Sequence, residues 1–208
     1  MDGLLLDSER IVQRSWYEAG AVMGYPDIGG HIYHTLGLNR NARNDYFRHA
    51  FGADFPLDEF NRMTGDIFFR IVGDTGIPLK PGARELLEYA KEHGYKIAVA
   101  SSSSRKYAVK ELTDAGIWSF FDGGIFGDMI GNTKPHPEIY LKACEMIKTP
   151  PRDCLALEDA PAGIRSAHAA GLNVIAVPDL VQPDEEILAL TCKRLDTLHD
   201  VIPLLKEE

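Results

Sequence analysis

Hydrophobic residues from about position 81 onward follow a regular alternation. An amphipathic stretch leads to a glycine and then to a short apolar run rich in β-branched residues. Residues 82–94 (GARELLEYAKEHG) predict an amphipathic helix that ends at Gly94. Residues 95–101 (YKIAVAS) then predict a buried strand of a parallel sheet, because such strands read as nearly continuous apolar runs.

The same alternation repeats three times further along the chain. The pattern predicts helices over residues 104–116, 136–147 and 160–171, and strands over residues 123–127, 153–159 and 173–178. Strands that alternate with helices are typical of parallel sheets with right-handed crossovers. We therefore predict the α/β class, with a Rossmann-like doubly wound parallel sheet that binds ligands at the carboxyl ends of its strands.

Residues 11–78 follow a different pattern. Aromatic and charged residues recur there at helical spacing, with no β-rich run between them. The segment GIPLKPG at 76–82 contains two prolines and two glycines, which is typical of a hinge. We predict a core domain of residues 1–10 and 79–208, and a helical cap domain of residues 11–78 inserted after the opening loop.

Composition narrows the choice of partners. The chain has 22 basic and 31 acidic residues and a net charge of −9, which argues against nucleic-acid and anionic-membrane surfaces. Cys144, Cys154 and Cys192 are far apart in sequence and show no metal-ligand spacing, so we expect reduced thiols.

No apolar run approaches the roughly 20 residues of a membrane span, and no signal peptide is evident. We expect a soluble, cytoplasmic protein that is a monomer.

Polar residues suited to phosphate chemistry stand at four predicted strand ends: Asp2, Ser101 with Ser102, Lys134, and Glu158 with Asp159. Adjacent carboxylates suit Mg²⁺, which proteins hold with one or two carboxylates plus substrate phosphate. A hydroxyl and an ammonium nearby would bind the remaining phosphate oxygens. Each residue alone has a simpler explanation, as a helix cap or a solvated charge. Their joint occurrence at successive strand ends favours a phosphate site.

These residues resemble the motifs of the haloacid dehalogenase-like hydrolases, in the branch that contains β-phosphoglucomutase and many sugar-phosphate phosphatases. The first motif of that family reads D-x-D-G-x-x-x-D-S/T, and residues 2–8 (DGLLLDS) match it from the second aspartate onward. The resemblance implies that Asp2 is the general acid/base and that its backbone carbonyl is a Mg²⁺ ligand.

The other three motifs carry further implications. By resemblance, Ser101 and Ser102 bind the phosphate, Lys134 is both catalytic and phosphate-binding, and Glu158 and Asp159 are the Mg²⁺ carboxylates. The activity implied is that of a Mg²⁺-dependent phosphatase of small phosphorylated metabolites such as sugar phosphates. It would proceed through an aspartyl-phosphate.

The chain departs from the family at its first residue. The nucleophilic aspartate of the first motif would stand directly before Met1. In one interpretation the protein begins upstream and Met1 is the middle residue of a D-M-D triplet. In the other, the chain is a non-catalytic phospho-ligand-binding pseudo-enzyme. As printed, the chain lacks the nucleophile, so we expect it to be inactive. The central strand that precedes this aspartate in the family would also lie upstream.

Two further segments bear on the substrate. Residues 37–41 (GLNRN) resemble the cap segment that directs an arginine to the substrate, so Arg40 is a candidate specificity residue; the alternative is a surface arginine. The mutase pattern has a histidine after the first motif and a Lys-Asn pair after the second-motif serine. This chain has Val12, and Ser104 with Arg105, at those places. We therefore favour a phosphatase, with a β-phosphoglucomutase-like activity as the alternative.

Overall fold

The computed structural model describes residues 1–206, which form nine α-helices and five parallel-paired strands. The predicted α/β class is confirmed. In the part of the chain described, no helix is both long enough and apolar enough to cross a membrane.

The first three helices form one helical segment. Helix α1 spans Glu9–Met23, α2 spans Arg40–Phe51 and α3 spans Leu57–Val72, and a 3₁₀ helix at Ile28–His34 joins α1 to α2. Their apolar faces share a core rich in aromatic residues, in which the buried rings include Trp16, Phe47, Phe55 and Phe60. The predicted helices of this region are confirmed, whereas the 3₁₀ helix was not predicted.

Helices and strands alternate in the rest of the chain. In order they are α4 Ala83–Glu92, β1 Ala98–Ser101, α5 Arg105–Asp114, β2 Gly123–Phe126, α6 Glu138–Met146, β3 Leu155–Glu158, α7 Pro161–Ala169, β4 Asn173–Ala176, α8 Glu185–Leu188, β5 Lys193–Arg194 and α9 Val201–Leu205. The predicted elements are confirmed, and the short elements after β4 were not predicted. Strand β1 begins later than predicted, because the Ile97 N–H donates to the Asp122 carboxylate (2.8 Å).

The strands divide into two parallel sheets. Strand β1 pairs with β2, and β3 pairs with β4, which pairs in turn with β5. Within residues 1–206, β1 and β3 each have one edge that pairs with no other strand. Helix α6 joins the sheets, because its buried Ile139 and Ala143 share a core with Ile125 of β2 and Ala156 of β3.

The chain enters and leaves the helical segment through two paired linkers. Leu6 and Leu79 form an antiparallel bridge, and the Asp7 N–H donates to the Pro78 carbonyl (2.8 Å). The predicted hinge at 76–82 therefore lies against the residues that lead into α1. The division into core and cap domains remains a prediction.

Candidate active site

The strand ends open into a cavity of about 520 Å³ beneath the helical segment. On the strand side its walls include every predicted site residue: Asp2, Ser101, Ser102, Lys134, Glu158 and Asp159. On the helical side they include Arg40, Arg43 and Trp16. The structure thus brings the predicted residues together, as expected if the carboxyl ends of parallel strands meet at one edge.

Two serine hydroxyls hold the Asp2 carboxylate. Ser8 Oγ donates to Asp2 Oδ1 (3.0 Å), and Ser103 Oγ donates to Oδ2 (2.9 Å). Ser8 is buried in front of α1, and Ser103 follows β1. Because each oxygen has its own donor, the orientation of the carboxylate is fixed. Sequence reasoning missed both serines, although the run of four serines at 101–104 was a signal.

Tyr107 adds a phenol beside this carboxylate. Burial, and next the negative charge of Asp2, raise the pKa of Tyr107, so its hydroxyl stays protonated. The residue lies in the first turn of α5 and lines the cavity. Tyr107 is therefore a neutral hydrogen-bond donor facing the acidic side of the site.

Lys134 and Glu158 form a buried ion pair. Their side chains are 6% and 7% exposed. Lys134 Nζ donates to the Glu158 carboxylate and also to the Ala100 carbonyl (3.3 Å), and the Tyr140 hydroxyl donates to the same Glu158 oxygen. Burial by itself would raise the pKa of Glu158, but the charge of Lys134, the charge of the Met1 amino group and these hydrogen bonds together outweigh burial and lower it. Glu158 is therefore ionised.

Asp159 lies next to this pair and has a perturbed pKa. Burial and the charge of Glu158 raise the pKa of Asp159 to about 7. Gly3 lies against the Asp159 carboxylate with a φ of 73°, and a Cβ at Gly3 would lie 2.3 Å from Oδ2. Glycine is required there because both the backbone conformation and the close approach exclude a side chain.

Acidic side chains outnumber basic ones on the cavity floor, where Asp2, Glu9, Glu158 and Asp159 lie with Lys134. Glu9 faces Asp2 and Asp159, and burial together with these two charges raises the pKa of Glu9 to about 8. Among residues 1–206, no three acidic, histidine or cysteine side chains converge as a complete metal site. The floor is nevertheless a strongly acidic environment in which a bound cation would relieve the repulsion between carboxylates.

The two predicted phosphate-binding serines lie in different environments. Ser101 Oγ accepts the Ser103 N–H (3.2 Å), which leaves the Ser101 hydroxyl proton available to a ligand. Ser102 Oγ donates instead to the Gly37 carbonyl (2.9 Å), and so links β1 to the helical segment. The assignment of both serines as phosphate ligands stays a prediction.

Two arginines of α2 approach the cavity from the helical side. Arg40 is exposed at the first turn, and Arg43 lies three residues later on the same face. The Arg43 Nε atom is buried and has no hydrogen-bond partner in the described chain, while its guanidinium lies 5.8 Å from the Trp16 ring. Burial lowers the pKa of Arg43, and the charge of Glu9 partly opposes that effect. Sequence reasoning missed Arg43.

Comparison with known proteins identifies the class. A family model described as haloacid dehalogenase-like hydrolase matches residues 1–171. The chain belongs to this family. It is 30% identical over 205 residues to hexitol phosphatase B of Escherichia coli, covering 97% of this chain and 91% of that protein.

Two other relatives agree with this assignment. The chain is 26% identical over 208 residues to a phosphorylated carbohydrates phosphatase of Thermotoga maritima, covering 100% of this chain and 96% of that protein. The crystal structure of CbbY from Rhodobacter sphaeroides in complex with phosphate superposes with a TM-score of 0.78 at 27% identity, covering 97% of this chain and 93% of the other.

The Glu158 carboxyl group packs directly against Gly163 of α7, and a glycine-to-alanine substitution tests this contact. A Cβ at Gly163 would lie 2.0 to 2.3 Å from the carboxyl atoms of Glu158, which its ion pair holds in place. Gly163→Ala should therefore lower the free energy of unfolding by about 1–3 kcal/mol. Gly65→Ala in α3 meets no atom within 4 Å and should raise it by about 0.5–1 kcal/mol.

Urea unfolding of both variants measures these changes. The two substitutions are chemically identical and both lie inside helices. Equal stabilisation by both would show that Glu158 does not occupy the space beside Gly163.

Proposed function

We propose that this protein is a Mg²⁺-dependent phosphatase of small phosphorylated metabolites such as sugar phosphates. The observation that carries the proposal is the convergence of Asp2, Lys134, Glu158 and Asp159 at the strand ends in one cavity. The names of two relatives, a hexitol phosphatase and a phosphorylated carbohydrates phosphatase, support the same reaction and substrate class.

The first step forms an aspartyl-phosphate. In the proposal, an aspartate directly before Met1 attacks the phosphorus through a carboxylate oxygen. The bond between phosphorus and the ester oxygen breaks, and Asp2, entering the step as the carboxylic acid, gives its proton to the leaving oxygen. Ser8 and Ser103 keep the Asp2 carboxyl group aimed at that oxygen. Lys134 offsets the negative charge of the phosphoryl group.

The second step releases phosphate. Asp2, now a carboxylate, takes a proton from a water molecule while the water oxygen bonds to phosphorus. The bond between phosphorus and the aspartyl oxygen breaks, which restores the nucleophile and releases inorganic phosphate. A separate acid/base next to the nucleophile is needed because the proton is given in one step and taken in the next.

The acidic floor fits a divalent cation. Glu158, Asp159 and the backbone carbonyl of Asp2 would hold Mg²⁺, since oxygen ligands and two carboxylates are its usual protein donors. The observation that supports this fit is the donor set itself, since the adjacent Glu158 and Asp159 are both buried in the wall of the cavity that Asp2 also lines. When bound, the ion supplies charge neutralisation for the phosphoryl oxygens.

The two sheets support an upstream position for the nucleophile. One edge of β1 and one edge of β3 are unpaired within residues 1–206, and Lys134 contacts the ends of both strands. A strand ending in aspartate could pair with both edges and bring its carboxylate to the cavity. The alternative, a non-catalytic protein that binds phosphate, has the same cavity but no nucleophile.

A chain extended by an apolar strand that ends in aspartate tests the proposal. With Mg²⁺, this version should release inorganic phosphate from p-nitrophenyl phosphate and from hexose phosphates. The version with asparagine at that one position keeps the strand but should lose at least about 10³-fold in kcat, because the nucleophile is gone. Equal activity of the two versions would contradict the mechanism. Isomerised sugar phosphate in place of inorganic phosphate would favour a mutase.

Metal binding can be measured without turnover. Saturating Mg²⁺ should raise the thermal midpoint of the extended asparagine version, because the ion binds the folded state. At a concentration of 100 times Kd, the free energy of unfolding should rise by about 2.7 kcal/mol. Asp159→Asn should abolish this increase, whereas Asp153→Asn, at an exposed residue just before β3, should preserve it. An increase that survives Asp159→Asn would place the cation elsewhere.

The helical segment supports a role as the cap that selects substrates. It covers the cavity, connects to the core through paired linkers and brings Arg40 and Arg43 toward the space that a ligand would occupy.

In the extended enzyme, Arg43→Gln should raise KM for a hexose phosphate by about 10- to 100-fold with kcat less affected, since the charged hydrogen bond from the guanidinium to the substrate is lost.

The matched control lies on the same helix. Arg48→Gln removes an arginine whose side chain is 57% exposed and should leave KM unchanged. A similar KM increase in both variants would indicate a general effect on α2, and an unchanged KM in Arg43→Gln would remove Arg43 from substrate binding.

A further inference from the structure

Two of the three cysteines lie next to each other where α6 meets β3. The Sγ atoms of Cys144 and Cys154 are 3.7 Å apart, although ten positions separate the residues in the sequence. Cys144 lies in the last turn of α6, and Cys154 directly precedes β3. Both are free thiols in the structure, as is the exposed Cys192. The expected reduced thiols are therefore observed, but the sequence did not predict that two of them would be neighbours in space.

We propose that Cys144 and Cys154 are a reversible disulfide site that peroxides can close. The sulfur–sulfur bond of a disulfide is about 2.05 Å long, so the two Sγ atoms need to approach by roughly 1.6 Å. Both cysteines flank the short connection from α6 to β3. The pair is therefore placed for an intramolecular bond between neighbouring elements.

The two thiols differ in access. Cys154 is half-buried and Cys144 is 4% exposed, so a small oxidant reaches Cys154 first. Burial, and then contact with Cys154, raise the pKa of Cys144 to about 12. Because the thiolate is the reactive form, Cys144 is a poor first target and is suited to the second, intramolecular step.

The chemistry balances with hydrogen peroxide as the oxidant. The Cys154 thiolate sulfur attacks one peroxide oxygen, the O–O bond breaks, and a sulfenic acid and hydroxide form. The Cys144 sulfur then attacks the Cys154 sulfur, the S–O bond breaks, and the oxygen leaves as water with the thiol proton. The two sulfurs together lose two electrons and the peroxide is reduced to water. A dithiol reductant reverses the bond by exchange.

The disulfide would add a second link between α6 and β3. One helical turn before Cys144, the Tyr140 hydroxyl donates to Glu158, which ends β3. The cysteine pair lies at the other end of the same strand. A disulfide between Cys144 and Cys154 would therefore link the helix that carries Tyr140 covalently to the strand that carries Glu158. We expect the thermal midpoint to rise by roughly 5–10 °C, since a closed loop restricts the unfolded chain.

Thiol counting and peptide mapping test the proposal on the whole chain. After a low excess of hydrogen peroxide, the titratable thiols should fall from three to one. The mass should fall by that of two hydrogen atoms, and a digest should contain a peptide pair joined through Cys144 and Cys154. Dithiothreitol should restore three thiols and the original thermal midpoint.

Two single variants give matched controls. Cys192→Ser should keep the cross-link and the rise in thermal midpoint, whereas Cys154→Ser, at a half-buried position, should lose both. A cross-link through Cys192, or oxidation of Cys192 while Cys144 and Cys154 remain reduced, would overturn the proposal. The wild-type result decides the question even if a variant folds poorly.

Discussion

The buried ion pair between Lys134 and Glu158 is the interaction on which the arrangement of the site depends. Lys134 comes from the loop after β2, Glu158 ends β3, and the other partners of the pair come from β1 and α6. One ammonium group therefore connects the carboxyl ends of two separate sheets. Removing two charges from water is costly, and such a pair is favourable only when further hydrogen bonds satisfy it. The Ala100 carbonyl and the Tyr140 hydroxyl supply those bonds.

The same cavity contains carboxyl groups that have no such ion pair. Asp159 has its pKa raised to about 7 by burial and by Glu158, and Glu9 has its pKa raised to about 8 by burial and by Asp2 and Asp159. Near neutral pH Glu9 is therefore mostly protonated and Asp159 is about half protonated, because a further negative charge beside Asp2 or Glu158 is unfavourable. Raised pKa values of this kind are expected where carboxyl groups bind a ligand. A bound cation would then supply the positive charge that stabilises their ionised forms.

Much of the fold could be predicted because its determinants are local. The helical period and glycine stop of residues 82–94 reflect α4, and the apolar run before Ser101 reflects β1. The grouping of the site residues followed from one topological rule about strand ends. Other features depend on side-chain positions that no periodicity encodes. The partners of Asp2, the burial of Arg43 and the contact between Cys144 and Cys154 arise only when distant segments pack. The division into two sheets likewise depends on which strands find partners.

The junction between the helical segment and the strands includes two polar contacts of different strength, in addition to apolar packing such as that of Phe68 and Val72 against Leu6. At the linkers, the buried Asp179 carboxylate accepts from Lys80 (2.6 Å) and from Arg10 (2.5 Å), next to the Leu6–Leu79 bridge. Across the cavity, Ser102 donates to the Gly37 carbonyl, a neutral hydrogen bond worth about 0.5–1.5 kcal/mol. Two charged bonds to a buried carboxylate are stronger than one neutral bond. Of these two polar contacts, the one at Ser102 would therefore break first if the helical segment rotated about its linkers. That motion would open the cavity on the side of Arg40 and Arg43 while leaving Lys134 and Glu158 paired.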